Sequence, residues 1–334
     1  MMTTSGMKAI RVAAPGGPLE IIDLALPQPR AGEVLVRIEA SGVNPLDTKI
    51  RAGAADHAKH PLPAILGLDL AGIVVATGPG VTDFRVGDEV YGLAGGVGGV
   101  QGTLAQFSAV DASLLAKKPR HLSMREAAAL PLSVVTAWEG LVDRAHVHEG
   151  QRVLVQGGAG GVGHVAVQIA RAHGAQVHAT GSAAQKRTIE SLGAVAIDHQ
   201  AETPQDIVAR HTGGAGFDIV YDTVGGAVLD ASFTLVREYG GHVVSCLGWG
   251  THKLAPLSFR AATYSGVFTL IPLVTGRHRA AHGQILAQAA ALAEAGQLRP
   301  LVEARRFDFS TVEQAHALVA SGGATGKVVV DVAH

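Results

Sequence analysis

The sequence predicts an α/β protein made of a mostly antiparallel β domain and a doubly wound parallel sheet. Three observations support this prediction. Apolar strand patterns, separated by Gly and Pro, fill residues 7–125. From residue 151 to about 270, short apolar runs alternate with helical stretches, a pattern typical of parallel strands with right-handed crossovers. A glycine-rich segment, residues 157–163, joins the first of those runs to a helix.

The domain boundaries follow from these patterns. We expect one domain over residues 1–125 and a second over 126–271. The block 272–334 has no nucleotide motif of its own, so we expect it to return to the first domain. An Ala-rich helix is predicted at about 279–295 in this block. The strands predicted for the parallel sheet lie near 152–156, 176–180, 195–198, 217–222, 242–247 and 267–271.

Composition excludes several classes of protein. The chain has 334 residues, 47% of them hydrophobic, and a net charge of −1, so no basic excess favours nucleic acid. The longest apolar runs are shorter than the ~20 residues that span a bilayer. Residues 1–6 have no apolar run, so we expect no signal peptide. The single cysteine, Cys246, excludes an internal disulfide and a Cys-based zinc cluster, and it fits a cytoplasmic location.

The glycine-rich segment indicates a dinucleotide site. Gly158, Gly160 and Gly163 have the G-x-G-x-x-G spacing, between an apolar strand and an amphipathic helix. Glycine permits the tight turn and lets bare backbone approach a pyrophosphate at the helix N-terminus. Gly161 and Val162 complete the turn. We expect Val162 to press on the nicotinamide ring, with ordinary strand–helix packing as the alternative.

The segment after the second parallel strand favours NADP(H) over NAD(H). An NAD site places an Asp or Glu there for the ribose 2′-hydroxyl, and this chain has none. Thr180, Gly181 and Ser182 follow instead, and then Lys186 and Arg187. Small hydroxyls and cations suit a 2′-phosphate. The alternative is that Lys186 and Arg187 only line the solvated face of the next helix.

Several motifs together identify a family. They are Ser41–Asp47, Leu66–Gly72, Gly87–Gly92, the glycine turn and Tyr221–Gly226. Over nearly its whole length the chain resembles the medium-chain dehydrogenase/reductase superfamily, specifically its zinc-free quinone oxidoreductase-like branch. The resemblance implies a GroES-like catalytic domain, a Rossmann domain, a cleft between them and a homodimer.

The residues at the family's zinc positions favour a protein without metal. Zinc-dependent relatives carry Cys, and often His, where this chain has Asn44 and Pro45, and His where it has Leu68. A catalytic zinc needs three protein ligands with N, S or O donors, which Pro and Leu cannot supply. His57 and His60 lie in a Pro-containing loop, and among 16 histidines their spacing is best explained by chance.

The resemblance places three candidate catalytic residues. Asn44 would donate a hydrogen bond to the substrate oxygen, and its alternative role is to cap local backbone. Lys49 stands where quinone reductases often carry Tyr; it would stabilise a developing oxyanion, or it is an exposed helix lysine. Thr136 would face the nicotinamide, or its hydroxyl bonds its own helix. We expect Asp47 to orient backbone or to pair with Lys49 or Arg51.

Other cofactor contacts are expected at the ends of the parallel strands. Asp222 and Val224 follow the fourth strand, where ligands of open α/β sheets gather. Leu247 and Gly248 follow the fifth strand and should border the nicotinamide ribose. His199, after the third strand, stands where relatives often have a Tyr beside the adenosine phosphate.

The sequence therefore favours an NADPH-dependent, zinc-independent reductase of a small-molecule electrophile, a quinone or an α,β-unsaturated carbonyl. A reductase of enoyl thioesters is the nearest alternative. A different class also stays open, a non-catalytic NADPH-binding sensor or structural protein, because a fold does not imply a function. We expect a cytoplasmic homodimer that binds neither nucleic acid nor membrane.

Overall fold

The computed structural model describes residues 6–332. The expectation that residues 1–6 form no signal peptide therefore falls, apart from Gly6, outside the described residues. The chain divides into two compact units. The first unit contains the chain up to Leu132, Leu270–Ala295 and the chain from Pro300 onward, and the second contains Ser133–Thr269 and Gly296–Arg299.

Strands and helices alternate in the second unit, whereas strands dominate the first. The strands are β1 (Met7–Val12), β2 (Leu19–Leu24), β3 (Glu33–Val43), β4 (Ala64–Ile65), β5 (Asp69–Thr77), β6 (Glu89–Leu93), β7 (Phe107–Asp111), β8 (Leu115–Lys117), β9 (Arg152–Gln156), β10 (Gln176–Gly181), β11 (Val195–Asp198), β12 (Ile219–Asp222), β13 (His242–Ser245), β14 (Thr263–Gly266), β15 (Phe307–Asp308) and β16 (Val328–Asp331). The α-helices are α1 (Pro45–Arg51), α2 (Met124–Ala128), α3 (Pro131–Trp138), α4 (Gly163–Ala172), α5 (Lys186–Ser191), α6 (Pro204–Thr212), α7 (Ala227–Leu235), α8 (Ala255–Arg260), α9 (Ile271–Thr275), α10 (Arg279–Glu294) and α11 (Val312–Ala320). Within residues 6–332, no helix has the length and apolar character needed to cross a membrane.

The second unit confirms the predicted parallel sheet. Its six strands run in the order β11-β10-β9-β12-β13-β14, and every neighbouring pair is parallel. Leu154, Val220 and Val243, on the central strands, are fully buried in the hydrophobic core. The order reverses between β9 and β12, which is the point where doubly wound sheets bind dinucleotides.

One predicted strand is wrong. The sixth strand, expected at 267–271, is β14 at Thr263–Gly266, and Ile271 begins α9. The apolar run misled the prediction because Val267 and Leu270 are buried without entering the sheet. Pro272 stands in the first turn of α9, a position that proline favours because it lacks a backbone N–H.

The first unit is organised around the long strand β3. β16 pairs antiparallel with β3, with Val328 opposite Val43. β5 pairs with the other edge of β3, with Asp69 opposite Gly42. This register brings the residue before β16, the residue after β3 and the first residue of β5 into one neighbourhood. The other strands of the unit form the rest of this sheet, ordered β15-β16-β3-β5-β6-β8 with β7 also on β3, and a small sheet β2-β1-β4.

Candidate active site

The turn between β9 and α4 is built from backbone, because side chains have no room in it. Gly157 has a φ of +75°, in the region that favours glycine. A Cβ on Gly163, the first residue of α4, would collide with the carbonyl oxygen of Gly157. A Cβ on Gly158 would collide with that of Ala179 on β10. The helix can therefore begin close against the sheet only if these positions are glycine.

Thr180, at the end of β10, holds this turn in place. Its carbonyl oxygen accepts a hydrogen bond from the N–H of Gly158 at 2.8 Å. Its hydroxyl accepts one from the N–H of Gly157 at 3.0 Å and donates to Oε1 of Gln156 at 2.8 Å. Thr180 is buried. Its hydroxyl, expected from the sequence at a 2′-phosphate, is used here to shape the turn.

The turn fits a dinucleotide pyrophosphate. Gly160 and Gly161 are exposed and Val162 is half-buried, so bare backbone faces solvent at the start of α4. The first N–H groups of an α-helix lack intrahelical partners, and the helix dipole favours an anion there. α4 is a full ten-residue helix. Backbone geometry and charge thus agree with the interpretation of the glycine motif.

Asp222, at the end of β12, shapes the two neighbouring loops. It is fully buried, and its carboxylate accepts hydrogen bonds from the N–H groups of Val224 at 3.1 Å and Gly225 at 3.0 Å. The hydroxyl of Ser245 donates to its Oδ2 at 2.7 Å. The same hydroxyl accepts from the N–H of Leu247 at 3.0 Å. Asp222 therefore sets the course of the loops that carry Val224 and Leu247.

The segment after β10 carries the residues expected at a 2′-phosphate. Gly181 is buried, and the N–H of Ser182 donates to Oε1 of Gln185 at 3.0 Å. Lys186 is exposed at the start of α5 and lies 3.9 Å from Glu190 one turn later. This exposed ion pair agrees with the alternative interpretation, in which Lys186 only lines the solvated face of α5. Nothing in it prevents the Lys186 ammonium from reaching an anion.

Three further residues lie after strands of the same sheet. His199 follows β11 and is exposed. Gly248 follows β13, and a Cβ there would collide with the hydroxyl of Tyr264. Cys246 directly follows β13, and burial raises the pKa of its thiol to about 12. The thiol is therefore a weak nucleophile at neutral pH.

In the first unit, Asn44 is the N-cap residue directly before α1, and Asp47 in the first turn of α1 holds it in place. The N–H of Asn44 donates to Oδ2 of Asp47 at 2.8 Å, and the N–H of Gly67 donates to Oδ1 at 3.0 Å. Asp47 is buried, and burial raises its carboxyl pKa to about 7. Asp47 orients local backbone, as expected from the sequence.

The side chain of Asn44 lies in a buried ionic cluster. Its Nδ2 donates to Oδ2 of Asp69 at 2.9 Å, and its Oδ1 accepts from the ammonium of Lys327. Lys327 Nζ lies 3.7 Å from Oδ2 of Asp69, and the N–H of Leu132 donates to Oδ1 of Asp69 at 2.9 Å. Burial raises the pKa of Asp69 and lowers that of Lys327, and the attraction between the two opposes both shifts. Asn44 does more than cap backbone.

Sequence reasoning missed Lys327. It directly precedes β16, whose next three residues, Val328–Val330, are buried valines. Lysine is almost never buried unless it is paired, and Lys327 is only 6% exposed. A lysine at the entrance of a strand that is apolar on both faces was the available signal. Its partners were not readable, because they lie more than 250 positions earlier in the chain.

The other two predicted catalytic residues have different surroundings. Lys49 is exposed on α1, as in its alternative interpretation. Arg51 forms a bidentate ion pair with Glu313, at 2.7 and 2.9 Å, so it is not the partner of Asp47. Thr136 is buried in α3, within the second unit, and its carbonyl oxygen accepts from the hydroxyl of Tyr221 at 2.8 Å.

The residues at the family's zinc positions do not fit zinc. Leu68 has no donor atom. The oxygens of Asn44 and Asp69 face the ammonium of Lys327, whose positive charge opposes a metal cation. Across the part of the chain that the structure describes, no three His, Cys, Asp or Glu side chains are grouped to hold a metal ion.

Comparisons with known proteins identify the family. Residues 30–120 match the model of the alcohol dehydrogenase GroES-like domain, and residues 192–330 match that of the zinc-binding dehydrogenase domain. The chain is 34% identical to an NADPH-dependent alkenal/one oxidoreductase of Arabidopsis thaliana over 92% of this chain and 74% of that protein. It is 30% identical to a quinone oxidoreductase of Pongo abelii over 97% of both.

A solved structure agrees over the full length. An alcohol dehydrogenase superfamily protein from Novosphingobium aromaticivorans is 57% identical, with a TM-score of 0.96 over 98% of this chain and 100% of that one. The α/β fold and the predicted resemblance are both confirmed. The chain belongs to the medium-chain dehydrogenase/reductase superfamily of oxidoreductases, in its quinone oxidoreductase-like branch.

Proposed function

We propose that the protein is an NADPH-dependent, zinc-independent reductase of quinones or α,β-unsaturated carbonyl compounds. The observation that carries the proposal is the cluster at Asn44. At the positions where zinc-dependent relatives bind metal, this chain has an amide donor anchored by a buried ammonium. The names of the two relatives, one acting on alkenals and enones and one on quinones, support the same class of substrate.

NADPH, when bound, supplies a hydride from its nicotinamide ring. The backbone of Gly160 to Gly163 would hold the pyrophosphate at the start of α4. Ser182 and Lys186 would contact the 2′-phosphate, and no acidic side chain directly after β10 would repel it. Gly158, Thr180 and Gly181 would contribute by shaping the turn. The other residues expected to contact the cofactor are Thr136, His199, Asp222, Val224, Leu247 and Gly248.

The substrate class follows from what the side chains can do. An amide N–H stabilises a developing oxyanion less strongly than a metal ion does, so the acceptor must itself spread the incoming charge. A quinone or an enone does so, because hydride adds at one atom while negative charge develops on a conjugated oxygen. Asn44 would donate to that oxygen, and Lys49 would add positive charge near it. A proton from solvent completes the reduction.

We also propose that the protein is a cytoplasmic homodimer. β14 is an edge strand within the described sheet, and Tyr264 on it is partly exposed. Phe259 shortly before β14, and Tyr239, whose N–H donates to the carbonyl oxygen of Arg260, are more than four-fifths exposed. An unpaired edge beside apolar side chains favours pairing with a second copy. Light scattering should give twice the monomer mass of 34.2 kDa; a monomer at micromolar concentration would contradict the dimer.

The function is tested with a panel of acceptors. NADPH and NADH oxidation would be followed with a simple quinone, an enone, an aldehyde and a crotonyl thioester, each with and without a chelator. We expect chelator-resistant turnover of quinone or enone, faster with NADPH. Thioester turnover alone would instead support the enoyl-thioester alternative. Chelator-sensitive aldehyde reduction would contradict zinc independence, and tight NADPH binding without any turnover would support the sensor.

The role of Asn44 is tested by Asn44→Ala. Loss of one oxyanion donor costs about 10²–10³ in kcat, while NADPH binding should change little. Wild-type kcat in this variant would contradict the donor role.

A further inference from the structure

The first unit contains a buried cluster of ionisable and polar side chains. Asn44, Asp47, Asp69 and Lys327 are between 0% and 6% exposed. They come from the residue before α1, from α1 itself, from β5 and from the residue before β16. Buried ion pairs are weak contributors to stability, because desolvation of both charges offsets their attraction. A cluster of this kind therefore calls for a role other than holding the unit together.

The cluster fixes which way the amide of Asn44 points. An ammonium group has only donors and an ionised carboxylate has only acceptors. The amide oxygen must therefore face Lys327 and the amide nitrogen must face Asp69, as the structure shows. Turning the amide over would set donor against donor and acceptor against acceptor. Asn44 is locked in one orientation by chemistry, not by packing alone.

This orientation leaves one N–H for a ligand. The NH₂ group of Asn44 has two hydrogens, and one of them is used by Asp69. Within residues 6–332, Nδ2 of Asn44 donates to no acceptor other than Asp69. Because the Lys327 ammonium binds the amide oxygen, it also draws electron density from the nitrogen and strengthens the remaining donor.

We propose that Lys327 is a positioning residue that acts through Asn44, locking its amide so that the remaining N–H meets the oxygen that gains charge during hydride transfer. This inference rests on the proposed function, in which Asn44 is that donor. Lys327 itself does not touch the substrate. Its ammonium polarises the amide of Asn44, so that the N–H carries more positive charge at the positions where zinc-dependent relatives hold their metal.

The central variant is the pair Lys327→Met/Asp69→Asn. Lys327→Met alone leaves Asp69 buried without its opposite charge, so the unit could fail to fold. The pair removes both charges, and an amide at position 69 can still accept from Asn44. The matched control is Lys118→Met/Glu89→Gln, because Lys118 is also a buried lysine of this unit, 3.1 Å from Glu89.

The paired variant should lose rate but keep cofactor. We expect kcat to fall about 10- to 100-fold, as for loss of residues that orient a reacting group. The Kd for NADPH should stay within about twofold. The control pair should keep kcat within about threefold. Lys327→Gln, which retains an N–H donor, should lie between wild type and the Met pair, and it replaces that pair if the pair does not fold.

A double-mutant cycle separates positioning from a merely structural role. Asn44→Ala should cost about 10²–10³ in kcat in the wild type. Adding Lys327→Met/Asp69→Asn to Asn44→Ala should then cost less than about threefold more, because the amide that Lys327 positions is already gone. Full additivity, or wild-type kcat in the pair, would overturn the inference while leaving the proposed function intact. An Asn44→Ala variant with wild-type kcat would instead contradict the proposed donor role itself.

The sequence offers a readout that does not depend on turnover. Asn44 is the only asparagine of the chain, so ¹⁵N-labelled asparagine gives one side-chain NH₂ signal pair. With NADP⁺ bound, a saturated ketone product should shift one of the two proton signals downfield. The shift should be smaller in Lys327→Gln, which, unlike the charge-removed pair, adds no second asparagine. An equal shift in both proteins would overturn the role of Lys327.

Discussion

Asp222 of the second unit and Asp69 of the first are both fully buried carboxylates that begin or end a strand. Asp222 is held by the backbone N–H groups of Val224 and Gly225 and by the hydroxyl of Ser245. Asp69 is held by one backbone N–H, by the amide of Asn44 and by the ammonium of Lys327. Neutral dipoles surround the carboxylate of Asp222, whereas an ammonium ion and an oriented amide side chain surround that of Asp69.

This difference separates two ways of building a site. In the second unit, the sequence places glycines and one carboxylate so that the backbone takes the required shape. In the first unit, the shape of the backbone serves to bring charged side chains together from distant parts of the chain. The nucleotide site is therefore sensitive to added volume, and the Asn44 cluster to changes of charge.

The largest effect expected is on stability at Asp69. Asp69→Asn leaves the buried Lys327 ammonium without its counter-charge and should lower the free energy of unfolding by about 3–5 kcal/mol. Asp222→Asn removes acceptor capacity from three donors and should cost only about 1–3 kcal/mol. Urea denaturation at pH 7 measures both. Equal losses would contradict the distinction between the two carboxylates, and adding Lys327→Met should recover part of the loss at Asp69.

The next effect is steric and belongs to the nucleotide turn. Gly163→Ala places a Cβ against the carbonyl oxygen of Gly157, and overpacking of this kind costs about 1–3 kcal/mol. NADPH binding should weaken by at least about tenfold, measured by fluorescence titration. Gly266→Ala is the control, since the nearest atom to its Cβ would be 3.9 Å away. Unchanged NADPH affinity in Gly163→Ala would contradict the fit of the pyrophosphate.

The contribution of Asp47, in the Asn44 cluster, to the free energy of unfolding should depend on pH. The pKa of Asp47 is raised from 3.8 to about 7, first by burial. The native state therefore holds a proton that the unfolded state releases, so this group's contribution to stability is lost as pH rises from about 4 to 7. The slope reaches up to about 1.4 kcal/mol per pH unit.

The difference in unfolding free energy between wild type and Asp47→Asn measures this contribution. It should fall as pH rises through that window. The exposed Asp83→Asn control should give a flat difference over the same range. A flat difference for Asp47→Asn as well would mean that the carboxyl has an ordinary pKa in the folded protein.

The smallest effect is expected at Lys186. Its exposed ion pair with Glu190 spans 3.9 Å, so Lys186→Ala should change stability by less than about 0.5 kcal/mol. The preference for NADPH over NADH should fall about two- to fivefold, since one exposed charge contributes about 1 kcal/mol or less. Steady-state kinetics with both cofactors measure it, with Lys8→Ala as control. An unchanged preference would favour the interpretation of Lys186 as a solvated surface lysine.

The sequence predicts local features of this protein well and long-range ones poorly. The strand–turn–helix at Gly158 is readable because its strand, glycines and helix are contiguous. The predicted position of β14 is wrong by a few residues, because buried apolar loop residues such as Val267 have the same sequence pattern as strand residues. Lys327 was missed because its contact with Asn44 depends on the register between β16 and β3, and register is decided by the folded sheet rather than by neighbours in sequence.

Isotope transfer tests most directly whether the protein moves a hydride from NADPH to a conjugated acceptor. The protein would be incubated with an enone and NADPH deuterated at C4 of the nicotinamide, in both stereochemical forms, and the product analysed by NMR. We expect deuterium on the β-carbon of the saturated ketone with one form only, at a rate unaffected by a chelator. Deuterium on the carbinol carbon of an alcohol, or NADPH that binds and is never oxidised, would contradict it.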